Sequence, residues 1–169
     1  MATLPVFPAP ARPVWRPLAP GDLAYVAALE AQVHAAPWSL GNFRDALAAG
    51  YVTRVAECDG RIVVYGVLML APGEAQILNV SVVPEMRRQG LGRALVDQFI
   101  ADARRADAEQ CFLEVRVSNG GAIALYENAG FTRIARRTGY YPPMEPGATR
   151  EDALVMRLAL SPLRPTAPV

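Results

Sequence analysis

The sequence predicts a mixed α/β (α+β) fold: about four helices flanking a mainly antiparallel central sheet of six to seven strands that carries one parallel crossover. Three observations predict it. Helical and strand periodicities follow one another in the order ααβββαβαββ, with a further strand possible near Val14. The two β-rich runs 51–57 and 61–70 are joined by Asp59-Gly60, a strong signal for a two-residue hairpin. A β-branched run stopped by Pro84 then leads through a glycine-bearing loop into a long amphipathic stretch, the strand–loop–helix half of a βαβ unit.

Taken in order, Leu23, Val26, Leu29 and Val33 recur at three- and four-residue intervals, which predicts a helix after the Pro20-Gly21 turn. A second helix has Ser39 as N-cap, Leu40, Phe43 and Leu47 on one face and Gly50 at its end. The hairpin strands follow, then a strand at 75–83, a helix from the Gly90-Leu91-Gly92 loop to about 106 and a strand at 110–117. A short helix at 120–128 ends before Gly130, a strand starts at Phe131, the stretch 139–149 reads as irregular, and a last strand covers 152–160. With 169 residues, 52% of them hydrophobic, the chain fits one domain with a sizeable core, placed at 14–160. Six of the 15 prolines fall in the first 20 residues and three in the last eight, so 1–13 and 161–169 are expected to be extended tails.

Composition removes several chemistries. All 17 basic residues are arginine, so a P-loop lysine, a Schiff-base lysine and a Ser-Lys pair are excluded. His34 is the single histidine and reads as a capping or surface residue, which disfavours zinc sites and histidine triads; no metal is expected. The net charge of +1 implies no nucleic-acid surface. Cys58 and Cys111 are too few for a disulfide framework and read as buried thiols. No apolar run is long enough to span a bilayer, no secretory signal is visible at the start, and a cytoplasmic location is expected. Catalysis is left to carboxylates, tyrosines and backbone.

The stretch 79–95, NVSVVPEMRRQGLGRAL, carries the most chemistry. Its glycines let backbone N–H groups turn toward a ligand at a helix start, where the partial positive charge suits a pyrophosphate. It lacks the third glycine of a dinucleotide fingerprint and the Gly-Lys of a P-loop. A side chain at Gly92 is expected to fall where the phosphates would sit. Alternation along 110–117 sets Cys111, Leu113 and Val115 on one face and Phe112, Glu114 and Arg116 on the other. By itself Glu114 reads as an ion-pair partner of Arg116 or another arginine, Tyr126 as a half-buried aromatic, and Asn119 as a helix N-cap.

Arg87-x-x-Gly90-x-Gly92 matches the diphosphate-binding signature of the GNAT acetyltransferases, and the resemblance covers about residues 16–160. FLEVRVSNGGAIALYENAGF, with Pro37-Trp38-Ser39, Tyr140-Tyr141-Pro142 and Arg150-Glu151-Asp152-Ala153, resembles the RimI type, which acetylate the N-terminal alanine of ribosomal protein S18. The Pro-rich start and a lengthened 142–149 loop depart from that pattern. The resemblance implies acetyl-CoA as co-substrate and a sheet splayed between its fourth and fifth strands. It implies cofactor contacts from Val80, Ser81, Val82, Arg87, Arg88, Gln89, Gly90, Leu91, Gly92, Arg93 and Asn119, with the backbone of 80–82 free to pair with the pantetheine. Glu114 would be the proton acceptor and Tyr126 the proton donor, and Trp38, Tyr140 and Tyr141 candidates for an acceptor-peptide site, each equally able to be core. An acetyltransferase of small-molecule amines, or a non-catalytic acyl-CoA-binding module, would keep the same glycine loop.

Overall fold

The computed structural model describes residues 12–160; of the tails expected at 1–13 and 161–169, residues 1–11 and 161–169 lie outside the described residues. The elements are β1 (Val14–Arg16), α1 (Leu23–Val33), α2 (Leu40–Ala48), β2 (Val52–Cys58), β3 (Arg61–Ala71), β4 (Glu74–Val82), α3 (Leu91–Arg105), β5 (Gln110–Arg116), α4 (Gly120–Asn128), β6 (Thr132–Tyr141) and β7 (Glu151–Ala159). Asp59 and Gly60 both take left-handed backbone, φ 50° and 74°, and so close the expected two-residue turn. Ser39 caps α2 as expected, its side chain accepting from Asn42 N–H.

The seven described strands form one sheet in the order β1-β2-β3-β4-β5-β7-β6, antiparallel except for the parallel β4–β5 pair. One face is covered by α3 and α4, whose Leu95, Phe99 and Ile123 pack with Val64, Ile77, Leu113 and Met156. On the other, Val26 of α1 and Phe43 of α2 cover Val55, Tyr65 and Val67. Gly66 sets the spacing of α3: a Cβ there would lie 2.6 Å from the Asn79 carbonyl oxygen and 2.7 Å from Leu95 Cδ2.

Two irregularities in β4 make the site. The β4–β5 pairing runs from Glu74 opposite Gln110 to Ile77 opposite Leu113 and stops. Against β3, Leu68 pairs with Ile77 and Val67 with Asn79, so Leu78 is an extra, bulged residue. The bulge resets the alternation, turning Asn79 and Ser81 toward α1 while Val80 and Val82 pack with the α3–α4 core.

Two expectations change. The segment from Gly139 is not irregular at its start, since β6 runs to Tyr141. Asp152 accepts from the Gly139 N–H at 2.7 Å and Arg150 donates to the carbonyls of Gly139 and Tyr140, at 2.7 and 2.8 Å, which holds the strand extended. Cys111 is buried, its thiol pushed up to about 12 by burial, but Cys58 is only half-buried near the hairpin turn.

Candidate active site

Past Ile77 and Leu113 the two strands diverge into a cleft of about 180 Å³. Glu114, Tyr126, Val80, Asn119, Trp38 and Tyr141 all line it, so one cavity gathers residues from five separate parts of the chain. On the side lined by Asn119, Ala122 and Tyr126 lies a first mouth, at the start of α4; the 88–93 loop does not itself line the cleft and adjoins this side through Val82 and Leu125, which face Gly92. The other lies on the opposite face, between the α1–α2 connection and the end of β6.

Beside the first mouth, Arg88 and Gly90 take left-handed backbone, φ 61° and 77°, so the loop turns its N–H groups inward ahead of α3. The first intrahelical bond is donated by Ala94 to the Gly90 carbonyl, leaving the N–H groups of Leu91, Gly92 and Arg93 at the open helix start. A side chain at position 90 would meet nothing within 4 Å. At Gly92, by contrast, a Cβ would point at Leu125 and Val82, 3.4 and 3.5 Å away. The expectation for Gly92 is therefore corrected: it seats α3 against α4 and β4, and the open space lies at Gly90.

Two of the three arginines here, Arg87 and Arg93, are committed elsewhere. Arg87 Nε donates to the Val82 carbonyl at 3.2 Å, so the backbone of 80–82 is not wholly free as expected. Arg93 pairs with Asp97 at 2.9 Å and donates to the Asn128 carbonyl, tying α3 to the end of α4. Gln89 donates to the Glu85 carbonyl at 3.4 Å. An anion here would meet backbone N–H groups before it met these side chains. Asn119 caps α4 through Ala122 N–H and faces the cleft. Tyr126 is buried on the same helix, not half-exposed, and burial, with the nearby Tyr141, raises its pKa well above the ordinary phenol value.

At the second mouth Glu114 is 18% exposed and paired with Arg137 at 2.6 Å, not with Arg116. Arg116 pairs instead with Glu151 at 2.9 Å and lies over the Tyr141 ring, 4.5 Å from its centroid. Tyr141 lines the cleft, its phenol pushed up to about 12 by burial and by the charge of Glu114. Tyr140 stands at the rim under Arg137, and a hydrogen bond to Glu114 raises its pKa. Trp38 tilts against Phe43, centroids 5.2 Å apart, and so is both core and cleft wall. The Arg150-Glu151-Asp152 run fastens this mouth: Arg150 holds β6, Glu151 takes Ser118 N–H and Arg116, and Asp152 takes Gly139 N–H and Arg136.

A buried polar network that sequence reasoning missed forms the remaining wall. Glu30, 2% exposed, accepts from Tyr65 Oη at 2.7 Å, Asn79 Nδ2 at 3.1 Å and Trp38 N–H at 3.1 Å. Burial and the charge of Glu30 raise the Tyr65 pKa. His34, read above as capping or surface, ends α1 through its backbone, but its Nε2 lies 2.7 Å from Ser81 Oγ and its ring lines the cleft. The available signal was Glu30 itself, an acid four residues after Val26 on the apolar stripe of α1. Among the described residues no group of three or more His, Cys, Asp or Glu is placed to hold a metal, and no helix is long and apolar enough to cross a membrane.

The profile of the acetyltransferase (GNAT) family matches residues 22–131, more than half of the chain. The chain belongs to the GNAT family. Within it, the chain is 36% identical over 140 residues to the [ribosomal protein bS18]-alanine N-acetyltransferase of Escherichia coli K12, covering 83% of this chain and 93% of that protein. The Haemophilus influenzae enzyme of the same name is 30% identical over 76% of this chain and 86% of its own length. Among GNAT structures, the crystal structure of the E. coli ribosomal-protein-S18-alanine N-acetyltransferase superposes with a TM-score of 0.81 at 32% identity, covering 94% of this chain and 99% of that one. The Chaetomium thermophilum Naa20 structure, in complex with a bisubstrate analogue, gives 0.75 at 31%, covering 87% and 86%. The chain is an N-acetyltransferase of the RimI type within that family.

Proposed function

We propose that this protein moves the acetyl group of acetyl-CoA to the N-terminal α-amine of a protein, with an alanine terminus such as that of ribosomal protein S18 as acceptor. The observation that carries the reading is that Glu114 of β5 and Tyr126 of α4 both line the cleft opened by the β4–β5 divergence. The names and extent of the S18-alanine relatives support the acceptor class.

The roles follow from the two mouths. Backbone N–H groups of 88–93 and the start of α3 hold the pyrophosphate, and Asn119 stands beside it. The unpaired edge of β4 near Val80 adds the pantetheine as a strand and directs an N–H at the thioester carbonyl. The acceptor chain enters past Trp38, Tyr140 and Tyr141. Glu114, ion-paired with Arg137, takes the ammonium proton through water; the freed amine attacks the thioester carbon. The C–N bond forms as the C–S bond breaks. Tyr126, kept protonated by its burial, gives its phenolic proton to the departing sulfur, and the second proton that the nitrogen sheds on becoming an amide returns through water to the phenolate.

The test offers acetyl-CoA with three acceptors: a peptide beginning Ala-Arg, its N-terminally blocked version containing a lysine, and a polyamine. Mass spectrometry should find the first acetylated on its α-amine, because a lysine amine of pKa about 10.4 is harder to deprotonate than an α-amine of about 8. Preference for the polyamine would replace this reading with a small-molecule acetyltransferase, and no turnover would leave an acyl-CoA-binding module.

A further inference from the structure

The hydrogen bonds around Glu30 dictate which nitrogen of His34 is a base. Glu30 is ringed by donors and, as a carboxylate, only accepts, so the Asn79 amide must turn Nδ2 toward it at 3.1 Å. That orientation leaves Asn79 Oδ1 facing Ser81 Oγ at 2.8 Å. Neither Oδ1 nor Glu30 Oε2, 3.5 Å from the same hydroxyl, can donate, so the single hydroxyl proton of Ser81 is spent on these acceptors. Ser81 Oγ can then only accept from His34 Nε2, 2.7 Å away. His34 therefore carries its proton on Nε2, and Nδ1 keeps the lone pair. The ring is 38% exposed and lines the cleft at the mouth assigned to the acceptor.

We propose that His34 is a second proton acceptor in the acceptor mouth, taking at Nδ1 the proton given up by the entering ammonium, with Glu30, Asn79 and Ser81 as the residues that position it. This rests on the amine-acetylating reading above. An N–H bond of the ammonium breaks and its electron pair stays on nitrogen to attack the thioester, while a new N–H bond forms at Nδ1. The resulting imidazolium donates from Nε2 to Ser81, and its charge is offset by Glu30 Oε2, 3.5 Å from Nε2. The half-exposed ring then returns the proton to solvent.

Glu114 alone is poorly suited to the task. Its carboxylate is engaged by Arg137 at 2.6 Å and by the Tyr140 hydroxyl, so oxygens that would receive the proton already accept from other donors. A neutral imidazole lies closer to an α-amine in basicity than any carboxylate does. The titratable and charged groups facing this space are Glu30 and Tyr65 behind the ring and Glu114, Arg116, Tyr126 and Tyr141 across the cleft.

Two measurements test the assignment. The chain has one histidine, so its ring nitrogens give a single set of ¹⁵N resonances. The neutral protein should show the Nε2–H tautomer, and an Nδ1–H tautomer would overturn the proposal whatever amine the protein acetylates. His34→Gln keeps an N–H donor for Ser81 but has no titratable group. With the Ala-Arg peptide its kcat/KM should fall about tenfold or more at pH 7 and approach the wild-type value by about pH 9, where the α-amine is already free. Wild-type rates at pH 7, or a loss equal at every pH, would reduce His34 to a structural contact. Should the wild type prefer another amine, that amine carries the same comparison, so a wrong acceptor is distinguished from a wrong role for His34. Wild-type protein that acetylates no amine would overturn both.

Discussion

The region beside the starts of α3 and α4 offers the backbone of one continuous loop, residues 88–93, left-handed at Arg88 and Gly90 where the chain turns. The mouth on the other face is made of side chains, Glu30 and His34 from α1, Ser81 from β4, Glu114 from β5 and Arg137 and Tyr141 from β6, that only the topology brings together. Between them stands one strand, β4, whose bulge at Leu78 sends Val80 toward the first region and Asn79 and Ser81 toward the second. A backbone device of this kind tolerates change in every side chain except its glycines. A side-chain device fails at any member.

That contrast can be broken in several places. The largest effect is expected from Tyr126→Phe, which keeps the buried ring and removes the hydroxyl: kcat should fall by about 10²- to 10⁴-fold with acetyl-CoA affinity nearly unchanged, read by steady-state kinetics and calorimetry. Glu30→Ala should cost about 3 kcal/mol in urea unfolding, because Tyr65, Asn79 and Trp38 N–H lose a buried acceptor together. Gly66→Ala should cost about 2 kcal/mol by the same measurement, since the added carbon meets the Asn79 carbonyl and Leu95 and α3 must lift.

A smaller, pH-dependent effect separates the fastening of the acceptor mouth from the rest. Hydrogen bonds from Ser118 and Arg116 hold the Glu151 carboxyl below its ordinary value of 4.5. A carboxyl lowered in the folded state contributes fully above its unfolded pKa and loses that contribution as pH falls through the folded one. The stability difference between wild type and Glu151→Gln, from thermal melts, should therefore be largest at pH 6 and shrink steadily below about pH 4.5. Least of all, Asp97→Ala cuts an exposed helix ion pair with Arg93 and should change unfolding free energy by under about 0.5 kcal/mol.

The same division decides what could be read from the sequence. The hairpin at Asp59-Gly60, the Ser39 cap, the strand alternation around Glu114 and the glycine loop are local, and each was legible because its cause lies within a few residues. The partner of Glu114 was not legible, since Arg116, two residues away on the same strand, is drawn off by Glu151 from a distant strand. The Leu78 bulge left no mark in composition, yet it alone decides that Asn79 and Ser81 meet Glu30. Arg87 opens the motif and Arg93 follows it in sequence, while their side chains found nearer acceptors in Val82, Asp97 and Asn128.

The separation of the two mouths is tested most directly by calorimetric titration of acetyl-CoA into Gly90→Val and Glu114→Gln. A valine at a backbone φ of 77° forces the loop out of its conformation, so Gly90→Val should weaken binding by about tenfold or more. Glu114→Gln, on the other face, should leave acetyl-CoA affinity within about twofold of wild type while acetyl transfer near neutral pH falls. Unchanged affinity in folded Gly90→Val, or a loss of affinity in Glu114→Gln matching its loss of turnover, would contradict the division of the cleft into a backbone-built cofactor mouth and a side-chain-built acceptor mouth.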